Sequence, residues 1–347
     1  MNRFLKRLSL DKPIIQAPMA GGITTTEMVK ASMDGGILGS LASGYLAPDT
    51  LEEQIRSVSN HSERHFQVNV FVPGGQKVPK DEDVESWKER VPGSQHAGNF
   101  MTIEEQWDDF YRKIDLILHY KVNMCSFTFG LPPVKIVQQL KEEGCLLMGT
   151  ASTVNEAVLM EKRGMDMVCM QGSEAGGHRG GFLEENGDSS IGLIALIPQT
   201  VDAIDIPVIA AGGITDYRGL NAALALGAEG VQVGTPFLLC KESGAHPVHK
   251  QRIIEANGAE TRETSLFTGK KARGIVNKWM MENEGYERSV LPYPHQHVLT
   301  KPMRQEAAQA DAPARMSLWA GQGIGSLGKE TTVKEVIAKF EGTEGVV

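Results

Sequence analysis

The chain has 347 residues, 41% of them hydrophobic and 22% charged, an ordinary globular composition that leaves out fibrous and disordered classes. Its 35 Lys and Arg stand against 43 Asp and Glu, a net charge of −8 with no long cationic run, which argues against nucleic acid as a partner. Cys125, Cys145, Cys169 and Cys240 lack paired spacing and no apolar stretch reaches 18 residues, so the expectation is a cytoplasmic protein with buried thiols and no membrane span.

Short apolar runs ending in glycine or polar turns alternate with helical patterns through the first two thirds of the chain. Strands are predicted at 13–16, 37–40, 67–71, 124–128, 146–149, 167–171, 208–211 and 231–233. Eight strands with crossover helices predict an α/β fold of the (β/α)8 TIM-barrel type. Helices are expected at 24–33 behind a threonine cap, at 48–60 and 133–143 behind prolines, and at 153–163, where Thr153 and Glu156 form a capping box. Another begins at Thr215-Asp216 and stops at Gly227.

Two intervals exceed a plain crossover. One carries a Pro- and Gly-rich arm at 77–100 before a helix at 103–119, and the other a loop before a helix at 193–203. Insertions at the carboxyl ends of barrel strands surround active sites. After Cys240 the rhythm stops. Residues 242–317 are expected to form a small helical accessory or lid segment, with LPYPHQHVLT (291–300) an extended return, while 1–241 and 318–347 form the barrel and 332–340 a closing helix.

Chemistry concentrates in QGSEAGGHRGGF, residues 171–182, which combines five glycines with an acid, a base and an imidazole. Glycine lets backbone N–H groups approach a ligand closely. His178 is the histidine in this loop and is read as base, acid or hydrogen-bond donor near neutral pH. Glu174 lies four residues before it, with no third ligand at metal spacing, so no metal is expected. IPVIAAGGITD (206–216) and VQVGTPF (231–237) each run a buried strand into a Gly turn, and paired turns after the last two barrel strands are a recurrent phosphate site. QAPMAGG (16–22) offers backbone and Met19 to one face of a flat ring. Asn69, Gln171 and Gln232 put amides on strands that are otherwise apolar, which favours a ligand edge over a bare core. The other histidines, His295 and His297 included, are expected in surface roles. No GxSxG elbow or GxxxxGK[ST] loop is present, so the reactivity is expected to come from an organic cofactor.

QAPMAGG, FQVNVF, CSFTFGLPP, GTASTVNEA, QGSEAGGHRG, IPVIAAGGI and VQVGT, with FTGKKARGI and LWAGQG further on, together resemble the nitronate monooxygenase family, formerly the 2-nitropropane dioxygenases. The resemblance implies a TIM barrel holding FMN without metal and oxidising nitronates, propionate 3-nitronate above all, with O2 to an aldehyde or oxo acid plus nitrite or nitrate. It implies FMN contacts from Met19, Ala20, Gly21, Asn69, Gln171, Gly176, Gly177, Gly212, Gly213, Gln232, Val233, Gly234 and Thr235, with His178 as the active-site histidine. His178 would remove a proton from a neutral nitroalkane or hold the nitro oxygens of an ionised nitronate. Tyr293 and Lys301 are assigned to substrate from their place in the return segment, and a homodimer is left open. Gln67 departs from the family, which often has glycine there. The alternatives are an FMN-dependent enoyl-ACP reductase using NAD(P)H and a non-catalytic barrel that binds a phosphorylated ligand.

Overall fold

The computed structural model describes residues 2–63, 65–74, 77–183 and 190–342. The strands are β1 (Ile14–Gln16), β2 (Gly39–Ala42), β3 (Phe66–Phe71), β4 (Met124–Thr128), β5 (Leu146–Ala151), β6 (Met167–Gln171), β7 (Gly177–His178), β8 (Val208–Ala211), β9 (Gly230–Val233), β10 (Thr261–Thr264) and β11 (Ala272–Ile275). All except β7, β10 and β11 join one parallel sheet in the order β1-β9-β8-β6-β5-β4-β3-β2. Its two ends meet where the Leu38 N–H donates to Ile14 (3.0 Å) and the Gln16 N–H to Leu38 (2.9 Å), closing a TIM barrel. The expected strand at 37–40 sits two residues later, at β2.

Alternation along the strands sorts the side chains into two layers. Val68, Val70, Cys125, Phe127, Val168, Val231 and Val233 pack outward under the helices. The inner face changes character along the barrel axis. Its floor is apolar: Phe4 and Leu8, from a helix at Arg3–Leu8 that the charged N-terminus concealed, pack against Met124, Met148, Met167 and Ile209. Toward the carboxyl ends of the strands it becomes polar, with Asn69 Nδ2 donating to Ser126 Oγ and Thr128 Oγ1, each at 3.0 Å. Gln67, the departure from the family pattern, is held by its Nε2 donating to Ser40 Oγ at 2.7 Å.

Helix starts follow their caps. Thr25 rather than Thr24 caps Thr26–Asp34, Thr102 and Glu105 form a capping box on Ile103–His119, and Thr332 with Glu335 forms another on Val333–Ala338. Burial drives the Cys145, Cys169 and Cys240 thiols up to about 12 and Cys125 well above its ordinary value, so these sulfurs are inert packing groups. Among the described residues no helix is long and apolar enough to cross a membrane.

Residues 242–317 contain the helices Pro247–Glu255, Lys278–Glu282 and His295–Gln309, and also the β10–β11 hairpin. The extended return expected at 291–300 is a correction: from His295 onward the chain is helical. The segment's prolines, Pro292 and Pro294, both precede the first turn, and Pro302 further on is accommodated inside the helix. The arm is anchored as well. Its helix Asp81–Arg90 inserts Trp87, beside Val91, among Phe267, Trp279, Leu299 and Met303, and the Trp87 indole N–H donates to Ser289 O at 2.7 Å. Residues 75–76, just ahead of that arm, and 184–189 of the loop after His178 lie outside the described residues.

Candidate active site

The glycine-rich loop leaves β6 at Gln171 and returns as β7, whose two residues pair with β11 in the register His178 to Ala272 and Gly177 to Arg273. FTGKKARGI is therefore the segment that carries the histidine's partner strand. Gln171 shapes the loop from below: its Nε2 donates to His178 O (2.9 Å) and its Oε1 accepts from Gly180 N (2.7 Å). Both ends of this amide are thus engaged by the loop backbone.

The opposite side of the mouth is built from turns. Gly212 and Gly213 have φ of 139° and 66°, conformations that favour glycine. The Asp216 carboxylate caps the following helix by accepting from Arg218 N at 3.0 Å, so the open donors lie upstream of that helix. The backbone N–H groups of Gly212, Gly213, Gly234 and Thr235 make no hydrogen bond to any described residue. LWAGQG closes this side: Gly321 N donates to Thr235 Oγ1 at 3.0 Å and Gln322 N to Glu174 O at 2.9 Å. A Cβ on Gly176 would stand 2.5 Å from the backbones of Ala320 and Gly321, so close packing of these segments requires glycine there.

The amides divide. Gln232 Oε1 is buried and has no partner among the described residues. Asn69 is oriented by donating to the Ser126 carbonyl at 3.3 Å, a group that can only accept, which fixes its nitrogen on that side and turns its oxygen away. Val233, by contrast, sends its side chain into the outer layer, and its carbonyl accepts from Ala17 N at 2.8 Å. Met19 is partly buried and held by its N–H donating to Thr24 Oγ1 at 2.9 Å, while Gly21 reaches the rim of a cleft.

That cleft, about 1870 Å³, opens between the barrel mouth and residues 242–317; Tyr45, Phe129, Tyr293, His297, Lys301 and Arg304 line its inner part. Of the residues expected at the site, Gly21, Tyr293 and Lys301 belong to this lining. His178 lies one ring behind, its imidazole 6.1 Å from Phe129, 6.3 Å from Tyr293 and 5.5 Å from Trp319 between centroids.

His178 Nε2 lies 2.9 Å from Thr268 Oγ1. Thr268 has one proton and two acceptors for it, His178 Nε2 and the Lys270 carbonyl at 3.0 Å. Donation to the imidazole leaves the other ring nitrogen as N–H; donation to the carbonyl leaves Nδ1 as a lone pair. Burial, with the charges of Lys270 and Arg304, holds the His178 pKa down to about 3, so the ring is neutral at pH 7.

His297 requires a correction. It is no surface histidine: it stacks on Tyr45 (centroids 4.5 Å apart, planes within 6°), and burial with Arg304, His178 and Lys301 drives its pKa to about 2. His295 is buried too. Tyr45, His297 and Arg304 lie outside the quoted motifs, and Phe129, Thr268 and Trp319, although inside CSFTFGLPP, FTGKKARGI and LWAGQG, were given no role there. The spacing of His297, Lys301 and Arg304, on one face of a helix, was the available clue, concealed by the expected extended return.

The nitronate monooxygenase family profile matches residues 2–341. The chain belongs to the nitronate monooxygenase family. It is 59% identical over 97% of both chains to a probable nitronate monooxygenase of Bacillus subtilis, and 42% identical over 92% of its own length and 91% of the relative's to one from Staphylococcus aureus. Among solved structures it is similar to nitroalkane oxidase from Streptomyces ansochromogenes, with a TM-score of 0.89 and 36% identity over 97% of this chain and 96% of that one. FabK from Thermotoga maritima matches less well, with a TM-score of 0.76 and 27% identity over 98% and 95%.

Proposed function

We propose that the protein is an FMN-dependent monooxygenase that oxidises alkyl nitronates, propionate 3-nitronate among them, with O2 to an aldehyde or oxo acid plus nitrite or nitrate. The observation that carries this reading is a neutral histidine in an aromatic wall, one ring behind a cleft with cationic side chains and beside a mouth with unengaged backbone donors. Gly212, Gly213, Gly234 and Thr235 fit a phosphate through those N–H groups. The orphaned Gln232 Oε1 and the Asn69 oxygen fit donors on the rest of FMN, and Met19, Ala20 and Gly21 fit one face of its ring. When bound, FMN supplies the electron acceptor for the nitronate and the route to O2.

The chain's own residues then hold and orient the substrate. A base whose conjugate acid has a pKa of about 3 is mismatched to a carbon acid as weak as a nitroalkane. An ionised nitronate needs no proton removed. With Thr268 donating to Nε2, the Nδ1–H of His178 is left to hold a nitronate oxygen, while Phe129, Tyr293 and Trp319 exclude water from the same side. Purified protein is expected to be yellow and to consume O2 with propionate 3-nitronate in the absence of NADH, with neutral nitroethane turned over far more slowly than ethyl nitronate. A colourless preparation that FMN does not reconstitute sinks this reading, and NADH oxidation dependent on an enoyl thioester replaces it with the enoyl reductase.

A further inference from the structure

Arg304 projects from the helix His295–Gln309 into the cleft without a carboxylate beside it. Its Nη2 donates to His297 O at 2.8 Å and its Nε to Thr300 Oγ1 at 3.2 Å, both on its own helix. A further contact, 3.4 Å from Nη2 to His297 Nδ1, joins it to the ring stacked on Tyr45. Nη1 has no partner among the described residues, so part of the guanidinium fork remains open.

The carboxylates elsewhere along the cleft are already engaged. Asp109 pairs with Lys113 at 2.6 Å, and Glu287 accepts from Thr264 Oγ1 at 2.6 Å and from Ser265 N and Oγ at 2.8 Å. Glu263 lies beside Arg273 at 3.8 Å. Arg304, with the exposed Lys301 on the same helix, thus brings positive charge to the cleft with no carboxylate paired to it among the described residues. Burial draws the Arg304 pKa down to about 10, the signature of a cation short of solvent and of a counter-ion. Two ring contacts connect this point with the candidate reaction centre: His178 to Tyr293 at 6.3 Å and Tyr293 to His297 at 6.3 Å.

We propose that Arg304 is the tail-reading residue of the site, receiving a carboxylate at the far end of a short nitronate while His178 meets the nitronate group. This rests on the function proposed above and adds to it the residue that sorts substrates by the charge of their tails. A planar guanidinium with an open fork suits a carboxylate, whereas the more buried Lys113 of the same cleft is already paired with Asp109 and Arg179 donates to the Gln171 and Gly172 carbonyls.

Binding and turnover test it separately. Succinate carries a planar anion at each end, as a carboxylated nitronate does; butyrate carries one. In thermal-shift titrations of the flavin-loaded protein, succinate is expected to bind about 10- to 100-fold more tightly than butyrate, and Arg304→Met to erase that difference. Arg304→Lys should keep part of it. In O2 uptake, Arg304→Met is expected to lower kcat/KM for propionate 3-nitronate about 10- to 100-fold more than for butyl 1-nitronate. Equal losses for both nitronates, or wild-type protein that binds succinate no better than butyrate, overturn the assignment. The succinate comparison reads Arg304 even if nitronates are not turned over, so failure of this inference is distinct from failure of the proposed function.

Discussion

The two sides of the barrel mouth are made of different material. On one, the turns after β8 and β9 offer the backbone N–H groups of Gly212, Gly213, Gly234 and Thr235, and behind them Gly176 and the glycines of LWAGQG are packed too closely for a side chain. On the other, the cleft is walled by whole side chains: Tyr45, Phe129, Tyr293, His297 and Arg304, drawn from two barrel loops, a helix nearly 300 residues along the chain and the turn that precedes it. A backbone site recognises what any phosphate presents, whereas a side-chain wall can change from one chain to the next without disturbing the fold. The comparison predicts that the first side governs whether a cofactor is held, and the second which substrate is taken.

The largest effect should come from breaking the backbone side. Gly176→Val pushes a branched side chain into the Ala320–Gly321 backbone and should cost roughly 1–3 kcal/mol of stability. Bound flavin should fall with it, as should O2 uptake, on the order of 100-fold. Absorbance of the purified protein and its Tm check this, and a yellow variant with unchanged Tm would falsify the close-packed seal.

Next is the boundary between the sides. His178→Ala is expected to retain flavin but lose about 10- to 100-fold in kcat/KM with nitronates, the scale of one hydrogen bond to a charged group. Steady-state O2 uptake at matched flavin content measures it, and unchanged kinetics remove His178 from the chemistry.

The side-chain wall can also be read without changing a residue, by titration. His178 and His297 are held to about 3 and about 2 when folded, against about 6.5 when unfolded. The unfolded chain therefore binds protons first as pH falls. Stability is complete above about 6.5 and declines below it toward the folded values, by at most about 1.4 kcal/mol per pH unit for each histidine. Chemical denaturation between pH 7 and 4 should show this slope, and the His178→Gln/His297→Gln protein a shallower one.

The same division decides how much was readable beforehand. Barrel strands, the Gly-Gly turns and His178 announce themselves through β-branched runs, glycine and motif spacing, because backbone geometry restricts which residues can stand there. The wall does not. Arg304 and His297 are ordinary residues whose meaning depends on a helix that was expected to be an extended return, and Thr268 matters through a contact 90 residues away. Gln171 carries a role the motif did not announce: its amide was expected at the ligand edge, and its side chain also fastens the loop from within. Val233 was expected to contact FMN within the run 232–235; strand alternation turns its side chain outward, so only its backbone is left for that contact.

The pairing of β7 with β11 has a mechanical corollary. The strand bearing His178 is the edge of a three-stranded sheet whose other members, β10 and β11, belong to the segment over the barrel, so roof and reacting wall are a single piece. A displacement of that roof large enough to admit a bulky molecule would drag the imidazole with it. Access and chemical competence are thereby geared together: the pocket holds its histidine in register only while its cover is seated.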